Sequence, residues 1–326
     1  MDKKKIFRIL SLDGGGFKGL YTAKVLSEIE KRFGKIYENF NLICGTSTGG
    51  IIALGLGLGK CAEEIVDYYL QYGPKIFPSD TFFKRSYHIA RQFTFAPKYS
   101  DSTLRKSLNI FFKDALMKDA KCNLCIPAIN LSDAQGIVFK TPHFSEFVRD
   151  ANLKMVDVAL ATSAAPTFFP SATIPSISSG LVDGGLWANN PSFVGAIEAV
   201  SYFVGNDKLF EEFSILSIGT LSSSKSWYPS KHKKGSIIRW GTKIFPLTIS
   251  AQSNAMNNLL KIASDKKLFP MGNYIRIDEP AVSPNQMKHI DLDKASSKSI
   301  RILLDLANST VNTQLSRKEI TELFNK

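Results

Sequence analysis

The sequence predicts an α/β fold, a mostly parallel central sheet with helices on both faces, on two observations. An apolar strand, Ile6–Leu12, runs through a glycine loop into an amphipathic segment from Leu20 to Phe33. A second short strand, Asn41–Cys44, runs through another glycine-rich loop into an apolar helix from Ile51. Strand, loop and helix repeated in this way mark parallel strands joined by crossover helices. In the first helix Leu20, Ala23, Leu26, Ile29, Glu30 and Phe33 recur at helical spacing, with Lys24, Ser27, Glu28 and Lys31 between them.

Further along, Ala62–Tyr72 reads as helix and Phe77–Tyr99 as an irregular insertion. Asn123–Asn130, Gly136–Lys140 and Phe213–Ile218 read as strands, and Met155–Ala165 as a small-residue helix stopped by Pro166. After Thr220 the composition shifts to Ser, Lys and Pro, with helices near Ile237–Ala263 and Ser296–Leu323. That shift sets an expected boundary between a core over 1–220 and a basic, mainly helical extension over 221–326 packed on the same domain. At 326 residues the chain buries a full core without disulfides or a structural metal.

The four cysteines are Cys44, Cys61, Cys122 and Cys125. Cys122-x-x-Cys125 lacks a second pair at metal-ligand spacing and lies in a strand-like run, so buried free thiols are expected, with no metal and no cofactor. The start, Met1-Asp2-Lys3-Lys4-Lys5, precedes an apolar run broken by Arg8 and ended by Asp13. This is too short for a secretory signal core, and no stretch approaches the ~18 apolar residues of a membrane span. A cytoplasmic protein that meets the inner face of the membrane peripherally is expected.

The net charge of +12 is uneven. Residues 221–276 carry ten Lys or Arg against Asp265 alone. Residues 81–99 hold Lys84, Arg85, Arg91 and Lys98 among Phe82, Phe83, Tyr87, Phe93, Phe95 and Tyr99. Cations beside exposed aromatics suit an anionic lipid surface, although a charge run is often only a solvated face. No nucleic-acid reading motif is present, so no polymer of that kind is expected as partner.

Three motifs carry chemistry. Gly45-x-Ser47-x-Gly49 lies between a strand and a helix, where a nucleophile elbow needs a sharp turn with small neighbours. Ser47 at the helix start would also sit in a positive field; the blander reading is a helix N-cap. Gly14-Gly15-Gly16 lets successive amides face one concavity, as an oxyanion requires, and Lys18 adds a nearby cation. The same loop satisfies Gly14-x-Gly16-x-x-Gly19, a dinucleotide fingerprint. The acidic residue expected at the end of the next strand is missing, because that strand closes on Cys44-Gly45-Thr46-Ser47. Gly55-Leu-Gly-Leu-Gly59-Lys60 fails as a phosphate loop, with Leu54 and Cys61 at two required positions.

The third motif is Asp183-Gly184-Gly185 after Leu181-Val182. A serine nucleophile needs a base in reach. His88, His143, His232 and His289 sit in no catalytic turn, whereas an aspartate serves if desolvation raises its pKa. A Ser–Asp–His triad using His232 or His289 is the enzymatic alternative, and a nucleotide-responsive or membrane-binding module with an idle catalytic loop is the other.

Together, in this order, Asp13-Gly-Gly-Gly-Phe-Lys-Gly19, Gly45-Thr-Ser-Thr-Gly-Gly50 and Asp183-Gly-Gly-Leu-Trp-Ala-Asn-Asn-Pro191 resemble the patatin-like phospholipases. Ala161-Thr-Ser-Ala-Ala-Pro166 and Ser217-Ile-Gly-Thr220 are also family-like. The resemblance spans about residues 6–220 and implies a patatin-like three-layer sandwich. It implies Ser47 as nucleophile and Asp183 as sole base, and an oxyanion hole from Gly14, Gly15 and Gly16 with the Thr48 amide, Lys18 filling the basic position. Asn189 and Asn190 would orient the loop after Asp183. The implied substrate is a membrane phospholipid, without a metal. A narrower similarity, through Val138-Phe-Lys-Thr-Pro-His143 and the basic C-terminal third, is to bacterial anti-phage effectors switched on by a cyclic dinucleotide.

Overall fold

The structure, a computed structural model, describes residues 5–78, 97–221, 237–278 and 282–324, with only the backbone over 237–243. Residues 79–96, most of the predicted insertion, lie outside the described residues, as do residues 222–236 of the basic stretch.

Among the described residues eight strands form one sheet. They are β1 Ile6–Leu12, β2 Leu42–Gly45, β3 Asn123–Asn130, β4 Gln135–Lys140, β5 Ala172–Ile174, β6 Ile177–Asp183, β7 Glu212–Ile218 and β8 Met271–Ile277. Neighbours run β5-β6-β3-β2-β1-β7-β8, with β4 also paired to β3. The run β3-β2-β1-β7-β8 is parallel; β4 and β6 pair antiparallel with β3, and β5 antiparallel with β6.

Alternation along the strands divides the core between the two faces. Leu10, Leu12, Ile43, Leu124, Ile126, Leu216 and Ile218 face one layer of helices, which includes Gly19–Phe33, Thr48–Gly57, Met155–Ser163 and Ser297–Gln314. Phe7, Ile9, Leu42, Cys44, Phe213 and Ile215 face the other, with Ala196 and Ala199 after β6 and Ala263 from the helix Ile237–Asp265. The layers are helix, sheet, helix, as expected.

The chain beyond 220 contributes a strand to this sheet, because β8 pairs with β7 from Phe213–Met271 to Ile218–Ile277. The predicted C-terminal helical stretch divides into Ser297–Gln314 and Lys318–Phe324.

One feature of the register positions the site. Ala128, Ile129 and Asn130 of β3 pair with both β4 and β6, while Cys125 pairs with both β2 and β4. A strand has two edges, so β2 and β6 share the edge of β3 away from β4. They run in opposite directions and meet nearly head to head. The C-terminal ends Gly45 and Asp183 therefore arrive at the same place, although 138 positions separate them in the sequence (183 minus 45).

Candidate active site

Ser47 sits in the left-handed region, with φ 56° and ψ −124°. A non-glycine residue there is strained, and such strain persists only where the surroundings over-determine it. Here they do. The Ser47 N–H donates to Thr162 Oγ1 at 3.0 Å, and Thr162 in turn donates to the Pro127 carbonyl at 2.5 Å. Thr46 Oγ1 donates to the Ala188 carbonyl at 2.6 Å. The flanking glycines are sterically required, since a Cβ on Gly45 would lie 2.1 Å from the Gly49 carbonyl oxygen. One on Gly49 would lie 2.3 Å from that of Leu12.

Ser47 makes no side-chain cap bond to its helix, so the N-cap reading fails. Its hydroxyl instead donates to Asp183 Oδ2 at 2.6 Å. Asp183 is 1% exposed, and its Oδ1 accepts the Gly185 N–H at 2.7 Å. Burial away from water pushes the Asp183 carboxyl up to about 7, against the opposing pull of the Ser47 and Gly185 hydrogen bonds. A carboxylate poised near neutrality and bonded to a hydroxyl is suited to take that proton.

The glycine loop lies beside this pair. Gly15 and Gly16 line a small cleft with Ser47, Asp183 and an apolar wall that includes Phe77, Phe168, Phe245 and Ile249. Among the described residues no acceptor takes the N–H of Gly15, Gly16 or Thr48. Gly16 has φ +57°, and a Cβ there would meet the Leu292 carbonyl oxygen at 2.2 Å. The N–H of Gly14 is differently committed, donating to the Asn189 carbonyl at 3.0 Å. Lys18 is buried at the end of the turn and lines no part of this cleft. A neighbouring apolar cavity shares Gly16, Ser47, Phe77 and Phe169 with this cleft and is lined also by Thr48, Ile51, Tyr68, Tyr69, Ile76 and Leu104, among others.

Among the described residues no histidine bonds Ser47 or Asp183. His143 is tied to Glu198 at 2.8 Å, His289 lines neither cavity, and His88 and His232 lie outside the described residues. No three His, Cys, Asp or Glu side chains cluster to hold a metal among the described residues.

The two asparagines after Asp183 do orient this loop. Asn189 Nδ2 donates to Ser253 Oγ at 2.7 Å and to the Gly14 carbonyl at 3.3 Å. Asn190 Oδ1 accepts the Ser192 N–H at 3.0 Å.

Sequence reasoning missed Arg276. It forks onto the fully buried Asp13, Nη1 to Oδ1 at 2.8 Å and Nη2 to Oδ2 at 2.6 Å, and bonds Ser217 Oγ at 2.7 Å. Asp13 opens the glycine loop, so this bidentate pair anchors the loop to β8. The available signal was a charged residue between Ile275 and Ile277 inside a strand. This also corrects the charge reading, because Arg276 is an internal counter-ion and no surface cation. Lys98 and Tyr99 are corrected likewise. Lys98 is ion-paired with Asp293, and Tyr99 is 6% exposed with its hydroxyl on the same carboxylate. Packing against Phe77 and Phe169 explains the burial of Tyr99.

The family model described as patatin-like phospholipase matches residues 10–193. A protein of Vibrio cholerae named cGAMP-activated phospholipase is 35% identical over 98% of this chain and 93% of its own length. One of the same name from Escherichia coli is 35% identical over 99% and 94%, and one from Pseudomonas aeruginosa 33% identical over 95% and 89%. The solved structure of human GIVD cytosolic phospholipase A2 superposes with a TM-score of 0.50 at 11% identity, covering 99% of this chain and 61% of that one, a likeness of fold. On the model match and these identities the chain belongs to the patatin-like phospholipase family, and so to the lipid acyl hydrolases.

Proposed function

We propose that the protein hydrolyses fatty-acyl esters of membrane phospholipids through a Ser47–Asp183 dyad. The observation that carries this is the 2.6 Å bond from the Ser47 hydroxyl to a buried carboxylate raised to about 7, inside an apolar cleft. Asp183 accepts the hydroxyl proton as Ser47 Oγ attacks the ester carbonyl. The tetrahedral oxyanion is held by the N–H groups of Gly15, Gly16 and Thr48. Collapse returns the proton from Asp183 to the departing alcohol oxygen, leaving an acyl-serine and a lysophospholipid. Water, deprotonated by Asp183, then releases the fatty acid and restores Ser47.

In this reading Gly14 acts from behind. Its N–H and carbonyl hold the loop to Asn189 and Thr220, and the hole is made by its neighbours. Lys18 supports the turn and, lining no part of the cleft, contributes no direct contact to substrate. The apolar cavity beside Ser47, lined by Ile51, Ile76 and Leu104, suits an acyl chain. Work at the anionic inner surface of the membrane is supported by the net charge of +12; among the described residues no helix is long and apolar enough to cross a membrane.

A cyclic dinucleotide switches this activity on, as in an anti-phage effector that degrades its own cell's membrane. Supporting this are three relatives, each at least 33% identical over at least 95% of the chain, that are named cGAMP-activated phospholipases. The test is release of fatty acid from phospholipid vesicles by wild type and Ser47→Ala, with and without a panel of cyclic dinucleotides. Turnover by wild type that Ser47→Ala loses, and that one cyclic dinucleotide raises, supports both parts. Turnover retained in Ser47→Ala removes the dyad, and turnover indifferent to every cyclic dinucleotide removes the switch.

A further inference from the structure

The helix Ile237–Asp265 has two unlike faces. Phe245, Ile249, Ser253, Leu260 and Ala263 point inward and are buried. On the opposite face Ile244, Leu247, Ala251, Ala255, Leu259 and Ile262 follow one another at helical spacing, and all six are exposed, with exposed Asn254 and Asn258 among them. Ile244, Leu259 and Ile262 are each more than half exposed. From 244 to 262 the stripe runs about 27 Å at 1.5 Å per residue.

A solvated helix face is normally charged, but between Ile244 and Leu260 no Asp, Glu, Lys or Arg occurs. Charge returns at the C-terminal end, where Lys261, Lys266 and Lys267 are exposed beside Ile262 and Leu268, against Asp265 alone. The short helices packed against this one add exposed Trp187, Phe193 and Ile197.

The geometry points to this face as the surface that lays the protein on an anionic lipid bilayer. An uncharged, mainly apolar stripe with lysines at one end suits a helix lying in the membrane interface, with the lysines reaching anionic headgroups. Position argues the same way, because the inner face of the same helix supplies Phe245 and Ile249 to the Ser47 cleft. Docking here brings the bilayer to the element that walls the cleft. The inference rests on the proposal that the substrate is a bilayer phospholipid, and it names how that substrate is reached.

The test uses full-length protein carrying Ser47→Ala, so that binding is read without hydrolysis. Its co-sedimentation is measured with vesicles of phosphatidylglycerol and phosphatidylethanolamine and with vesicles of phosphatidylcholine alone, with and without cGAMP. Adding Leu259→Asp and Ile262→Asp, on exposed positions remote from Ser47, is expected to weaken binding to the anionic vesicles at least about tenfold, the scale of two lost apolar insertions. Lys261→Glu, Lys266→Glu and Lys267→Glu together should lower binding to anionic vesicles and leave the neutral ones unaffected.

In the Ser47 background the Asp pair should lose vesicle hydrolysis while keeping turnover of a soluble short-chain p-nitrophenyl ester. Unchanged vesicle binding in both variant sets overturns the inference. So does an oligomer that the Asp pair disperses with vesicle binding intact, which would assign the stripe to a second copy. Failure of the wild type to bind either vesicle, with or without cGAMP, overturns it as well. Loss of all ester turnover in wild type, with vesicle binding still dependent on the stripe, would instead sink the dyad and spare the surface.

Discussion

Asp183→Asn should stabilise the fold while abolishing the reaction. The asparagine is the same size as the aspartate, and its amide can satisfy both present contacts. Its oxygen accepts the Gly185 N–H and its NH2 donates to Ser47 Oγ, reversing the 2.6 Å bond. What disappears is the burial of a charge. Each tenfold change in proton affinity is worth about 1.4 kcal/mol, so a rise from 3.8 to about 7 corresponds to about 4 kcal/mol. Between those two values the folded state holds a proton that the unfolded chain has released. Stability therefore falls as pH rises through that window and levels off above about 7.

Asp183→Asn removes that dependence. Its advantage over wild type should be about 2 kcal/mol at pH 5 and about 4 kcal/mol at pH 8. The assay is denaturant or thermal unfolding of both proteins across pH 4 to 9, beside fatty-acid release. A variant less stable than wild type at pH 8, or a gap that does not widen with pH, would refute the claim that Asp183 is held against a desolvation cost. The same variant should lose about 10²–10⁴ in turnover, the usual worth of a general base.

The remaining expectations concern the supports of this site. Because Asp183 must be ionised to accept a proton, turnover of a soluble ester should rise with pH, levelling near 7, and drop about tenfold per pH unit below it; a flat profile from pH 5 to 8 counts against Asp183. Gly45→Ala forces a Cβ to within 2.1 Å of a backbone oxygen, whereas Gly34, at φ +82°, has open space around it. Gly45→Ala should therefore leave little folded protein, while Gly34→Ala, at φ 82° and ψ −176° but with no steric clash, costs about 1–3 kcal/mol of backbone strain by thermal melting. Arg276→Ala strands the buried Asp13 carboxylate and should cost about 3–5 kcal/mol in denaturant unfolding, with much of that restored by adding Asp13→Asn.

The parallel core of the fold was legible because its strands are buried on both faces. Ile6–Leu12 and Phe213–Ile218 read as near-continuous apolar runs, and the structure places β1 and β7 there. β6 and β8 were not legible for the opposite reason. Ile177-Ser-Ser-Gly is half-exposed and polar, and Met271–Ile277 carries Gly272, Asn273 and Arg276. Their pairing with β3 and β7 is decided by tertiary context, which outweighs local propensity.

The pairing of Ser47 and Asp183 was readable as chemistry, because a serine elbow needs a base in reach and no histidine of the sequence sits in an obvious catalytic turn. The reason they meet was not readable, since it lies in the head-to-head arrival of β2 and β6 on one edge of β3, a register fact. Gly14 shows the same limit. Its motif marks it for an anion, but its N–H is drawn to Asn189 by a contact spanning 175 positions (189 minus 14).

The most direct measurement is covalent capture of the nucleophile. Intact protein is incubated with an alkyl fluorophosphonate, and the modified residue is located by peptide mass spectrometry. The account requires a single phosphonyl adduct on Ser47, absent in Ser47→Ala and slowed at least a hundredfold in folded Asp183→Asn. An adduct on another residue, or fatty-acid release that survives with Ser47 unmodified, would contradict it.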